Sequence, residues 1–199
     1  MSIHDPQPKE TQKPSDGAGP LYHRVYSLDA ESTWENALRS MQRLQQNINH
    51  FSPQIMCRFE KVSGQAKELA DGDEFQIHIT GPWNGPVLAK DVSERAFTLI
   101  TLEGHIEAGE IRFRIDRLDD TLVRFEIESV ARSKDLIVDF MYDKIPIVKL
   151  AQTEMWKQFC EAFGLELSFG TQGDPRGRVS DVKILTERRD EDTGHWETL

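Results

Sequence analysis

Residues 111–116 and 123–128 alternate apolar and charged side chains without a break. In the first segment Ile111, Phe113 and Ile115 point one way and Arg112, Arg114 and Asp116 the other. In the second, Val123, Phe125 and Ile127 share a face, with Arg124, Glu126 and Glu128 opposite. Successive strand side chains alternate sides, so each segment has one dry and one wet face. Asp119, Asp120 and Thr121 between them supply turn chemistry. A hairpin that matches the two dry faces can set Arg112 opposite Glu128, Arg114 opposite Glu126 and Asp116 opposite Arg124. All three are opposite-charge pairs, each contributing about 0.2–1 kcal/mol. That register is the expected one.

A chain of 199 residues suits one domain. Lys and Arg number 24 against 34 Asp and Glu, a net charge of -10 that argues against a nucleic-acid or anionic-membrane surface. No apolar run reaches the roughly 18 residues of a membrane helix. No apolar core follows a basic start at the amino terminus, so no signal peptide is read there. Cys57 and Cys160 are far apart, form no CxxC pattern and have no Cys or His at metal-ligand spacing. Two packed, reduced thiols in a cytoplasmic protein are expected.

Taken in order, residues 1–20 are polar and rich in Pro and Gly, and read as a disordered tail dispensable for stability. Residues 21–28 suit a first strand. Ser32 and Glu35 fit a capping box ahead of a helix whose stripe is Trp34, Ala37, Leu38, Met41, Leu44 and Ile48. Ser52-Pro53 limits that helix. Strands follow over 56–62, 75–79, 87–92 and 96–102, with a polar connection at 64–73 and a rigid GPWNGP turn at 81–86. His78 falls on the polar side of its strand. Beyond the hairpin, residues 134–163 are helical in character and are divided by Pro146. The long second part carries Val148, Gln152, Met155, Phe159 and Ala162 along one stripe, with Gly164 as its stop. Residues 168–199 form a charged carboxy-terminal extension, with strand character over 179–185. Consecutive strands with segregated helices imply an α+β fold.

The segments GPWNGPV (81–87), FTLITLEGHIEAGEIRF (97–113) and FEIESVARS (125–133), with Gln152 and Trp156, are ordered as in an uncharacterised domain-of-unknown-function family. The chain resembles that family over residues 21–167. The family in turn resembles the START-like, helix-grip superfamily, also called SRPBCC or polyketide-cyclase-like. The resemblance implies a curved antiparallel β-sheet gripping a long carboxy-terminal α-helix, with a cavity between them. It brings no catalytic residue and no cofactor.

Candidate chemistry concentrates in GHIEAGE, residues 104–110. His105 and Glu107 are two apart, so on a strand they share a face. Continuing the alternation back from Ile111 places Gly109 and Glu107 on the dry side. One reading is an imidazole and a carboxylate at a cavity mouth, able to orient or protonate a ligand. The other is a turn shaped by Gly104 and Gly109 and held by its own hydrogen bonds. Two or three ligands fall short of a tetrahedral metal set. Glu110 lies on the wet side, where an ion pair is expected, with Arg132 diagonally across. Gln152 sits on an apolar stripe, where an unpartnered buried amide costs about 1–3 kcal/mol. It must therefore bond protein, water or ligand. Trp156 is a core residue or a ligand platform, and Trp83 sits where an aromatic can cap a cavity mouth. There is no Gly-rich phosphate loop and no GxSxG elbow.

The ligand-binding candidates are therefore Trp83, His105, Glu107, Gln152 and Trp156. The function expected from them is binding of a small apolar or amphipathic molecule between sheet and helix. The alternatives are a cyclase- or hydrolase-like enzyme using Glu107 and His105 as acid and base, and an interaction module whose cavity is filled by its own side chains. No cofactor, nucleic-acid partner or membrane insertion is expected.

Overall fold

The computed structural model describes residues 9–64, 67–79, 84–135, 146–169, 177–191 and 193–199, with backbone alone for 146–150. The strands are β1 (Ala18–Glu31), β2 (Cys57–Ser63), β3 (Glu74–Ile79), β4 (Gly85–Lys90), β5 (Ala96–Thr101), β6 (Glu107–Arg117), β7 (Leu122–Ser133), β8 (Lys183–Arg189) and β9 (Trp196–Thr198). The helices are α1 (Trp34–Gln46) and α2 (Pro146–Ser168), with short 3-10 turns at Pro14–Asp16 and Ile48–His50. All nine strands form one antiparallel sheet in the order β2-β3-β4-β5-β6-β7-β1-β8-β9.

The expected hairpin register is the one found. Arg112 is opposite Glu128, Arg114 opposite Glu126 and Asp116 opposite Arg124. Phe113, Ile115, Phe125 and Ile127 all lie buried on the inner face, because a one-residue slip would turn the whole dry row to solvent. The outer-face pairs rearrange locally. Arg114 holds Glu126 at 2.5 Å, whereas Arg124 takes Asp29 of β1 at 2.7 Å and Glu128 turns to His23. Burial works against the charge on His23, but the carboxylates of Glu187 and Glu128, one on each ring nitrogen, outweigh it and raise its pKa. Both nitrogens then donate, as in imidazolium.

α2 packs on the inner face through aromatic rings. Phe125 meets Phe163 at 4.1 Å between centroids, Phe113 meets Phe159 at 5.5 Å and Trp156 at 5.8 Å, and Phe97 stacks on Phe113 at 4.7 Å. Met155, Phe159, Phe163 and Leu167 are fully buried by this contact. α1 lies beside α2 and buries Ala37, Met41 and Leu44 of its apolar stripe. Both thiols are free and buried; burial pushes Cys57 up to about 12 and raises Cys160 as well.

Several expectations are corrected by packing. Gly164 does not stop α2, which runs on to Ser168. A Cβ there would come within 2.8 Å of Leu28 and 2.9 Å of Val179, so the glycine serves the close approach of helix to β1. Ser32 does not cap α1. Thr33 does, accepting from the Asn36 backbone N–H, while Ser32 Oγ and Asn36 Nδ2 donate to the Leu167 carbonyl at 2.7 and 2.8 Å. They satisfy a carbonyl at the end of α2 that the helix leaves without an internal partner. The GPWNGP stretch is not wholly irregular, since Gly85 and Pro86 belong to β4. The carboxy-terminal strand is shifted along the chain: Val179 makes an isolated bridge to Ala30, and β8 with β9 extends the same sheet. The short helix expected ahead of Pro146 falls mostly on residues 136–145, outside the described residues.

The reading of residues 1–20 as a disordered tail is corrected from Thr11 onward. Thr11 bridges Leu102, and Gln12 is buried. Gln12 donates its backbone N–H to Thr101 at 2.7 Å and accepts from Gly109 at 3.0 Å. Its side-chain amide donates to the carbonyls of His105 and Glu107, each at 3.1 Å. The segment is held by polar bonds rather than apolar burial, which is why hydropathy does not reveal it. Gln12→Ala should therefore lower stability by about 1–3 kcal/mol, a fall of roughly 3–9 °C in a thermal melt. An unchanged Tm would mean the segment contributes nothing.

Candidate functional site

Four of the five candidate residues meet at one place. A cavity of about 70 Å³ between the inner face and α2 is lined by His105, Glu107, Gln152 and Trp156. Trp83 lies outside the described residues. The side chain of Val148, expected on the same stripe, is also outside them.

The cavity exists because of side-chain size along two rows of the sheet. In one row Phe113 of β6 faces Ile127 of β7 and Tyr26 of β1, and the space is filled. Toward the amino end of β6, Gly109 faces Ala131 and Ile111 faces Ser129. These small residues leave room beneath α2, and Gly109, Ser129 and Ala131 all line the space. Trp156 closes it toward the aromatic core, packing edge-on against Phe113.

Glu107 is the first residue of β6. Its backbone N–H donates to His105 Nδ1 at 2.9 Å, so the neutral ring carries its proton on Nε2. The ring lies against Gly85 of β4: a Cβ there would come within 2.0 Å of the imidazole. This contact joins the GPWNGPV and GHIEAGE segments, because the glycine of one makes room for the histidine of the other. Burial lowers the His105 pKa, while the Glu107 charge works the other way. Within the turn, His105 is thus an internal hydrogen-bond acceptor, in line with a loop held by its own hydrogen bonds, although Gly109 lies in β6 and not in the turn.

Gln152 is half-buried, and among the described residues no hydrogen bond satisfies its amide. Glu110 pairs with Lys90 at 2.7 Å and Arg132 with Glu191 at 2.9 Å, so the diagonal contact between Glu110 and Arg132 is not the one formed. His78 pairs with Glu60 on the outer face, as its parity required. Among the described residues no group of three or more His, Cys, Asp and Glu could hold a metal ion. No helix among them is long and apolar enough to cross a membrane.

Several lining residues were not among the candidates, and one of them is an arginine. Arg24 of β1 reaches the same cavity, with its guanidinium 4.7 Å from the Tyr22 ring centroid. The signal was present: Tyr22, Arg24, Tyr26 and Leu28 share strand parity, so an arginine stands in an otherwise aromatic and apolar row. A larger cavity of about 210 Å³ lies at the carboxy end of α1, over Phe59, Phe75 and Phe97. It is rimmed by amides and by Lys61, whose ammonium is held by Asp73 at 2.6 Å, and it contains none of the candidates. The smaller cavity instead brings His105, Glu107, Gln152 and Trp156 together between the sheet and α2. Leu99 lines both.

Two measurements check this geometry. Gly85→Ala should destabilise by about 1–3 kcal/mol, and His105→Ala should relieve much of that loss in the double variant. Additive losses would mean that the two residues do not touch. The second check is pH. Below the ordinary value of 6.5 the unfolded chain protonates this histidine while the native chain resists. Stability therefore falls as pH drops from 6.5 toward the depressed folded value. Denaturant titrations across that window should show a shallower acid-side fall in His105→Gln. An unchanged slope would assign the fall to other groups.

Solved structures share this architecture. Norcoclaurine synthase from Thalictrum flavum is similar with a TM-score of 0.52 at 10% identity, covering 74% of this chain and 94% of that chain. A structure of that enzyme in complex with dopamine and hydroxybenzaldehyde gives 0.50 at 11% identity, over 74% and 91%. A START superfamily protein from Mycobacterium smegmatis gives 0.47 at 12% identity, over 73% and 97%. Likeness to norcoclaurine synthase at this identity concerns the fold alone, and the fold is the expected helix grip: α+β, with the sheet packed against the carboxy-terminal helix. No curated protein matches the sequence. A family described as a domain of unknown function, DUF1990, matches residues 36–162, well over half of the chain, and the protein belongs to that family.

Proposed function

We propose that this protein is a binding module holding a small amphipathic molecule between the sheet and α2. The observation that carries the reading is the Gln152 amide, without a hydrogen bond among the described residues, on the wall of a cavity shared with Trp156, His105 and Glu107. A polar group in a half-buried wall recovers its lost hydration when a ligand bonds it. Trp156 supplies an aromatic wall and Gln152 a polar contact that fixes orientation, the usual division of labour in small-molecule sites. The helix-grip structure of norcoclaurine synthase in complex with dopamine and hydroxybenzaldehyde gives a precedent for small aromatic molecules in this architecture. An acid–base role for His105 and Glu107 is the less favoured reading. It asks the imidazole to exchange protons while Nδ1 is engaged in its own turn and burial disfavours the charge.

Native mass spectrometry of gently purified protein, followed by denaturing analysis of whatever is released, tests the proposal. The expected result is a defined small molecule retained in equimolar amount. Gln152→Leu should keep the fold, since volume is conserved and no partner among the described residues is stranded, and should lose the molecule. Loss of about 1–3 kcal/mol from the ligand-free variant, with the molecule still retained, would make Gln152 structural and move the site elsewhere.

A further inference from the structure

We infer that the ligand of the sheet–helix cavity is a small organic anion whose carboxylate or equivalent group is held by Arg24. The inference rests on the proposed binding reading and names the chemistry of its ligand. Arg24 is half-buried on the inner face of β1, directly opposite Ser129 of β7. Among the described residues no carboxylate pairs with it, and its guanidinium lies over the Tyr22 ring. Most other arginines at the inner sheet strands behave differently, since Arg114, Arg124 and Arg132 each hold a carboxylate on the outer face. Arg24 is instead turned to the side where α2 packs, and it lines the cavity with Trp156 and Gln152.

A cation taken partly out of water needs a counter-charge, and a planar guanidinium meets a carboxylate through two parallel hydrogen bonds. Stacking on Tyr22 holds the plane in place before the ligand arrives. The negative charge of Glu107 stands away from this point. Glu107 is opposite Ser133, four positions along β7 from the partner of Arg24, or roughly 13 Å at the rise of an extended strand.

Calorimetric titration of the full chain with benzoate and with benzyl alcohol tests this, because the two share a ring and differ in charge. The wild-type protein should bind benzoate at least about tenfold more tightly, and added salt should weaken benzoate alone. Arg24→Gln should abolish the preference while leaving benzyl alcohol within about twofold, and Arg24→Lys should keep part of it. Equal affinity for the two probes, or a preference that survives Arg24→Gln, overturns the anion assignment and leaves the cavity reading standing. Failure of both probes to bind the wild-type chain overturns both. If Arg24→Gln does not fold, the salt dependence and Arg24→Lys decide: a salt-independent benzoate affinity overturns the assignment.

Discussion

The aromatic contact between α2 and the inner face of the hairpin holds the molecule in its working shape. Phe159, Phe163 and Trp156 of the helix interdigitate with Phe113 and Phe125 of β6 and β7, and Phe97 extends the stack to β5. Such rings remove large apolar areas from water and add a geometric preference of about 0.5–1.5 kcal/mol per pair. The contact fixes the height of α2 above the sheet along one half of its length. The other half then spans rows of small side chains, Gly109, Ala131 and Ser129, and the cavity is the consequence. Filling and emptiness are thus one design: bulky residues set the spacing, and small residues a few positions away inherit a gap they cannot close.

Around that gap, the chain spends several of its most recognisable residues on holding itself together. Gly85 admits the His105 ring, the ring accepts from the Glu107 backbone, and Gln12 clamps the carbonyls on both sides of the turn. The amino-terminal segment is therefore part of the support of the site, although it lies before the residues that match the family. Of the side chains that line the cavity, Arg24, Gln152 and Trp156 come from β1 and α2, elements far apart in sequence. In the proposed binding reading, the motif-rich turn would support the cavity and less conspicuous residues would contact the ligand.

The outer face follows a different logic. Its charges pair across strands, and the pairing is not always the one between direct neighbours. Glu128 lies opposite Arg112 yet bonds His23, and Arg124 lies opposite Asp116 yet bonds Asp29 of β1. Exposed ion pairs are individually worth about 0–1 kcal/mol, so side chains exchange partners at little cost. Backbone register is a stronger constraint, because a slip of one residue inverts every buried position.

The sequence by itself determined whatever depends on periodicity. The alternation in residues 111–116 and 123–128 set the hairpin register, the stripe from Ala37 to Leu44 set the buried face of α1, and Pro146 marked the start of α2. The parity of Glu107 and the stripe position of Gln152 were likewise enough to bring both to one cavity. Tertiary structure decided whatever depends on contacts between distant segments. Gly164 read as a helix stop until Leu28 and Val179 were found against it, and Ser32 read as a cap for its own helix until the end of α2 was found to need it. The docked segment around Gln12 was invisible to hydropathy because backbone and amide hydrogen bonds hold it, and these leave no mark in composition. Arg24 stood in plain view, in the apolar phase of its strand, but only the packing of α2 shows that this phase faces a cavity and not a filled core. Local patterns fix which side of an element is dry; how closely two dry sides approach depends on the volumes of residues that meet only in the folded chain.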